Sequence, residues 1–127
     1  MYAKRKILIF GQKEEAEETV ILLRQYFEKA KKSFQYTVSD VCDECYKQLD
    51  DSDPTLVIVL VNGAMGLECV FQTKKYDSTM TVFWFSDDQN FSMQSHRLEC
   101  AYFAEKPLTA EKLDKAFFRC KSLGIGI

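Results

Sequence analysis

Hydrophobic positions along this chain switch between two rhythms, unbroken apolar runs and the three-and-four spacing of helices. ILIF at 7–10 is a continuous run closed by Gly11, the pattern of a strand buried on both faces of a parallel sheet. Ala16, Val20, Leu23, Phe27 and Ala30 then fall on one helical face. Glu14, Glu15, Glu17 and Glu18 occupy the first turns of that helix and Lys29, Lys31 and Lys32 its end, charges that suit the helix dipole. FQYTVS (34–39) alternates apolar and polar residues and predicts an edge strand. Asp40 is placed to cap a short helix over 41–49, with Val41, Cys45 and Leu49 inward, and the turn-rich DDSDP (50–54) stops it.

LVIVLV (56–61) is the strongest buried-strand signal, broken by Asn62-Gly63, and 65–75 returns to helical spacing. TVFWFS (81–86) predicts a fourth strand, and SDDQNF opens a short helix ending near Leu98. Residues 101–105 predict a fifth strand. Thr109 is a suitable N-cap for the last helix, with Glu111 in its first turn and Lys112 where a capping box would need Glu or Gln. Leu113, Phe117, Cys120 and Leu123 mark the apolar side of that helix. Five strand–helix repeats predict one α/β domain over 1–127. Its architecture is a doubly wound five-stranded parallel sheet in a three-layer α/β/α arrangement.

Composition narrows the functional classes. With 127 residues, 46% hydrophobic and 28% charged, the chain can bury a core of its own. A formal net charge of −2 gives no long-range attraction to nucleic acid or an anionic membrane, so contact with nucleic acid is expected only through a domain outside this chain. No apolar run approaches the roughly eighteen residues of a membrane helix. Five cysteines (Cys42, Cys45, Cys69, Cys100, Cys120) with no signal-peptide pattern fit free thiols in a reducing cytoplasm.

In a parallel sheet, chemistry sits beyond the carboxyl ends of the strands. Those positions are Gly11-Gln12, Ser39-Asp40, 60–63, Ser86-Asp87 and Lys106-Pro107. Here the chain resembles the response-regulator receiver (CheY-like, flavodoxin-like) family along its whole length. WFSDDQNFSMQSHRLECAYFAEKPLTAEKLDKAF (84–117) is most similar to receivers attached to LytTR-type DNA-binding domains. The resemblance implies two-component signalling and an active site of five parts. These are an acidic pair after the first strand that helps hold Mg²⁺, a phosphoacceptor Asp ending the third, a Ser or Thr ending the fourth, and a Lys before Pro, commonly in a cis bond, ending the fifth.

Ser86 and Lys106 match the last two parts. Gly11 and Gln12 stand at the acidic pair, and Leu60 stands at the phosphoacceptor; shifting the register brings Val61 or Asn62 there, still not an acid. Mg²⁺ needs hard oxygen ligands, and an aspartyl phosphate needs a carboxylate nucleophile. The expectation is therefore a pseudo-receiver, not an enzyme, with no cofactor and no Mg²⁺ binding. It would act through protein contacts, as the resemblance implies, at the head of a transcription regulator. The resemblance assigns the output face to the fourth helix, fifth strand and fifth helix. A protein partner or a homodimer would use Phe91, Met93, His96, Arg97, Tyr102, Phe103, Lys112 and Lys115 there, with Phe103 at the position of the aromatic that moves with the strand-four hydroxyl.

Other constellations are weaker. Lys106 is read as a strand-end lysine paired with Asp87, Asp88 or Glu105, or as part of a remnant anion site with Ser86, using Asp87 or Asp40 for the lost acids. Cys42-Asp43-Glu44-Cys45 has the spacing of a redox pair, but its acidic neighbours disfavour a thiolate. A structural zinc site lacks ligands, since there is no second C-x-x-C and His96 is the only histidine. GAMG (63–66) lies between a strand and a helix, where turn geometry explains its glycines better than an anion does.

Overall fold

The computed structural model describes residues 5–40 and 45–127. Among the described residues, five strands alternate with five helices: β1 Lys6–Phe10, α1 Lys13–Ala30, β2 Gln35–Ser39, α2 Cys45–Ser52, β3 Leu56–Val59, α3 Gly63–Tyr76, β4 Thr81–Ser86, α4 Ser92–Arg97, β5 Tyr102–Glu105 and α5 Ala110–Ser122. A 3₁₀ turn, Gln89–Phe91, leads into α4. All strand pairings are parallel, in the order β2-β1-β3-β4-β5. This is the doubly wound parallel arrangement that the rhythm of the chain predicts and that the receiver resemblance implies.

The central strands explain the apolar runs. Residues 7–10, 56–60 and 82–85 are buried because helices cover both sheet faces. On one face α1 and α5 pack over Ile7, Ile9, Ile58, Phe83 and Phe85, and Tyr26 of α1 stacks on Phe117 of α5 at 4.1 Å. On the other, α2 and α3, with Phe91 and Leu98 flanking α4, cover Leu8, Phe10, Val57, Val59 and Trp84. The sheet order reverses between β1 and β3, and the crevice beyond their carboxyl ends is where an open α/β sheet places its site.

Several boundaries differ from the sequence expectation. β3 ends in the ladder at Val59, although the Leu60 N–H still donates to Phe10 O at 2.7 Å; the chain then turns into α3, which begins at Gly63 rather than at Met65. Gly63 has φ +68°, a left-handed conformation in which a side chain would be strained. Gly66 is required for a different reason, because a Cβ there would lie 2.0 Å from Val61 O. Leu123 is 53% exposed rather than inward, since α5 ends at Ser122 and Leu123 is its C-cap; Ala116 takes the buried position instead. Cys45 and Leu49 are buried as expected, and α2 runs on to Ser52. The expected cap at Asp40 and the start of that helix involve 41–44, which lie outside the described residues. Thr109 does cap α5, its Oγ1 accepting the Lys112 N–H at 3.2 Å.

Candidate functional site

The crevice is built from four strand ends. Gly11 leaves β1 fully enclosed, its N–H donating to Ser39 O at 2.9 Å. A Cβ on Gly11 would lie 2.9 Å from the Leu60 Cβ, so glycine at one position and leucine at the other fill a single volume. Leu60 is 2% exposed and offers the crevice a hydrocarbon side chain. Gln12 is exposed at the N-cap of α1 and makes no side-chain cap bond. Ser86 is buried at the end of β4, where its Oγ accepts the Asp88 N–H at 3.2 Å. Beside it, Asn62 Oδ1 accepts the Asp87 N–H at 3.2 Å and ties the β3–α3 loop to the end of β4.

Lys106 follows β5, with its N–H bonded to Ser86 O and a cis peptide bond to Pro107. Its ammonium does not meet Asp87, Asp88 or Glu105, the partners read from the sequence. It pairs instead with Glu15 Oε2 at 2.7 Å and donates to Leu60 O at 2.6 Å. The Lys106 side chain is 14% exposed. Burial of an ammonium requires such partners, and a carboxylate together with a backbone carbonyl supplies them.

Glu15 lies among the dipole-compensating acids at the start of α1, and its second role, pairing with Lys106, is one that its charge pattern alone does not show. The signal lay in its helical row: Glu15, Thr19, Leu22 and Tyr26 are spaced i, i+4, i+7, i+11 on the flank whose Tyr26 stacks on α5. Thr19 is buried and its Oγ1 donates to Glu15 O at 2.9 Å. Between this flank and the loop after β5 runs a groove of about 310 Å³, floored by Leu60 and Lys106. Glu15 and Lys106 close on each other across it.

These residues are a poor fit for the Mg²⁺ that the receiver fold implies. Gly11 and Leu60 have no oxygen ligand, Gln12 has one neutral carbonyl, and Glu15 is committed to Lys106. Among the described residues, no three His, Cys, Asp or Glu side chains are grouped to hold a metal ion.

The residues assigned to the output face split between packing and surface. Phe103 of β5 makes an edge contact with Trp84 at 5.2 Å between ring centres, and Phe91 tilts against the same indole at 5.5 Å. Tyr102 points to the other sheet face, beside Phe85. Met93 is 62% exposed, and Arg97, His96 and Lys115 are exposed. Met93, Phe103 and Glu105 line a hollow of about 530 Å³ between α4 and β5. Lys112 is half-buried and its Nζ donates to Glu105 O (2.6 Å) and Pro107 O (2.8 Å), which fastens the β5–α5 loop. Cys42 lies outside the described residues, and the Sγ of Cys45 sits 4.0 Å from that of Cys69 across the α2–α3 contact.

The three-dimensional comparisons place this architecture. The chain is similar to a response regulator from Desulfuromonas acetoxidans (TM-score 0.70, 18% identity, 95% of this chain and 98% of that one). It is also similar to a CheY-like receiver domain from Methylobacillus flagellatus (TM-score 0.71, 16% identity, 92% and 98%). A third is the non-phosphorylated HemR receiver domain of Leptospira biflexa (TM-score 0.67, 17% identity, 94% and 94%). No family model matches the sequence, and no curated protein matches it. The fold is that of receiver domains. Among the described residues, no helix is long and apolar enough to cross a membrane.

Proposed function

We propose that this chain is a pseudo-receiver, a regulatory module of the two-component type that signals through protein contacts without Asp–Mg²⁺ phosphorylation. One observation carries the reading. The Lys106 ammonium, which a phosphorylated Asp would engage in the family, is held by Glu15 and Leu60 O, while Leu60 and Gly11 close the space that an acceptor and a metal would need. The module has no catalytic turnover and no Mg²⁺ requirement. Its output surface is α4, β5 and α5, supported by exposed Met93 beside the hollow at Phe103. A protein partner or a second copy docks there, and any DNA contact belongs to a separate, LytTR-like domain.

The same ion pair lowers the standing of an anion site at Lys106 and Ser86, because Glu15 already supplies the anion. The test is incubation with a small phosphodonor and Mg²⁺ followed by intact mass. The unmodified mass is expected. A phosphoryl adduct with the base and hydroxylamine lability of an acyl phosphate would overturn the reading.

A further inference from the structure

β2 is an outer strand, paired only with β1 among the described residues. The Gln35 N–H donates to Arg5 O, and Ser39 O accepts the Gly11 N–H. The alternation of a parallel ladder thus turns the backbone groups of Gln35, Thr37 and Ser39 toward β1. The N–H and C=O of both Tyr36 and Val38 face outward, four groups aimed at solvent. Natural edge strands are usually guarded by Lys, Pro, a bulge or a covering element. QYTVS carries no charge and no Pro, its register with β1 runs unbroken, and residues 35–38 are exposed on both sheet faces.

We propose that two copies of this chain associate through this edge, pairing β2 with β2 antiparallel about a twofold axis at Thr37 and merging two sheets into one. The register follows from the strand itself. Centring on Thr37 sets Tyr36 opposite Val38 of the second copy, and Val38 opposite its Tyr36. Those are the positions whose backbone groups face outward, so each pair exchanges both hydrogen bonds. The same register puts an aromatic against a β-branched side chain on one face, a favourable cross-strand pair. A one-residue slip would turn these groups and side chains away from each other.

Charge selects the direction. Lys31 and Lys32 precede the strand and Asp40 follows it, all exposed. Antiparallel pairing brings the basic end of each copy beside the acidic end of the other, whereas parallel addition would align like with like. On the α1 side the guanidinium of Arg24 lies 5.8 Å over the Tyr36 ring, and Ile21, 56% exposed one turn away, extends the apolar surface available to a second copy. β5 is at the opposite edge of the sheet, so α4, β5 and α5 stay open to a different partner.

Sedimentation of the full chain over a dilution series tests this, with Val38→Lys and Thr37→Cys as variants. A reversible dimer is expected, with a dissociation constant at least tenfold larger in Val38→Lys, whose side chain is exposed in the monomer. Thr37 would meet its own copy at a non-hydrogen-bonded position, where Cβ atoms come close enough for a disulfide. Under a mild oxidant, Thr37→Cys should give a reducible covalent dimer above the wild-type background, and Gln35→Cys, offset in register, should not. A strictly monomeric chain, a dimer untouched by Val38→Lys, or equal crosslinking of the two cysteine variants would each overturn the proposal.

Discussion

At the scale of residues, the crevice is an exchange of one anion for another. The carboxylate facing Lys106 belongs to Glu15 on α1 rather than to a residue at the end of β3. Glu15→Gln keeps the shape and removes the charge, leaving Leu60 O to satisfy the ammonium in part. Glu15 is 38% exposed, so solvent screens the pair, and the loss should be about 1 kcal/mol. It would be read as a lower urea midpoint at unchanged slope, with Glu14→Gln as control. Gly11 is held to glycine by Leu60 rather than by its backbone angles. Gly11→Ala should therefore cost about 1–3 kcal/mol through overpacking, with Gly11→Asp at least as costly. Equal stability of Gly11→Ala and the wild type would show that the two positions do not share one volume.

At the scale of elements, legibility in the sequence tracked how strongly a pattern was forced by burial. β1 and β4 were readable because both of their faces are covered, and α1 because one face is buried from Ala16 to Phe27, although Ala30 at the end of that row is exposed in the last turn. The end of β3 was misread because LVIVLV stays apolar past Val59. Leu60 is buried as site filling rather than as strand, and composition does not distinguish those two reasons for burial. Leu123 was misread because helical spacing continues past the residue where α5 stops. Local capping chemistry was readable at Thr109, and Thr109→Ala should cost about 1 kcal/mol in the same urea experiment. The Glu15–Lys106 pair was not readable, because it joins α1 to the loop after β5 and no local pattern specifies a contact across that separation. The identities at Gly11, Gln12 and Leu60 were plain in the sequence, whereas the packing of Leu60 against Gly11 needed coordinates.

At the scale of the whole molecule, burial sets an alkaline limit on stability. Burial pushes the Cys100 thiol up to about 12 and the Cys120 thiol up to about 11, against an ordinary value of 9.0. The unfolded chain releases these protons first, so the stabilisation is complete below pH 9 and is lost as pH rises toward about 11 and 12. Tyr26, raised first by burial, acts in the same direction, and Lys74, lowered by its own burial, opposes it. Melting temperature should fall above pH 9, with a shallower slope in Cys120→Ala. The central proposal is that Glu15 and Leu60 close the crevice of this fold against phosphoryl chemistry. Its most direct test is an amide NMR titration with Mg²⁺ and beryllofluoride, which mimics an aspartyl phosphate. The account predicts no saturable shifts at Gly11, Leu60, Ser86 or Lys106. Saturable shifts at those four amides, spreading to Phe103, would contradict it.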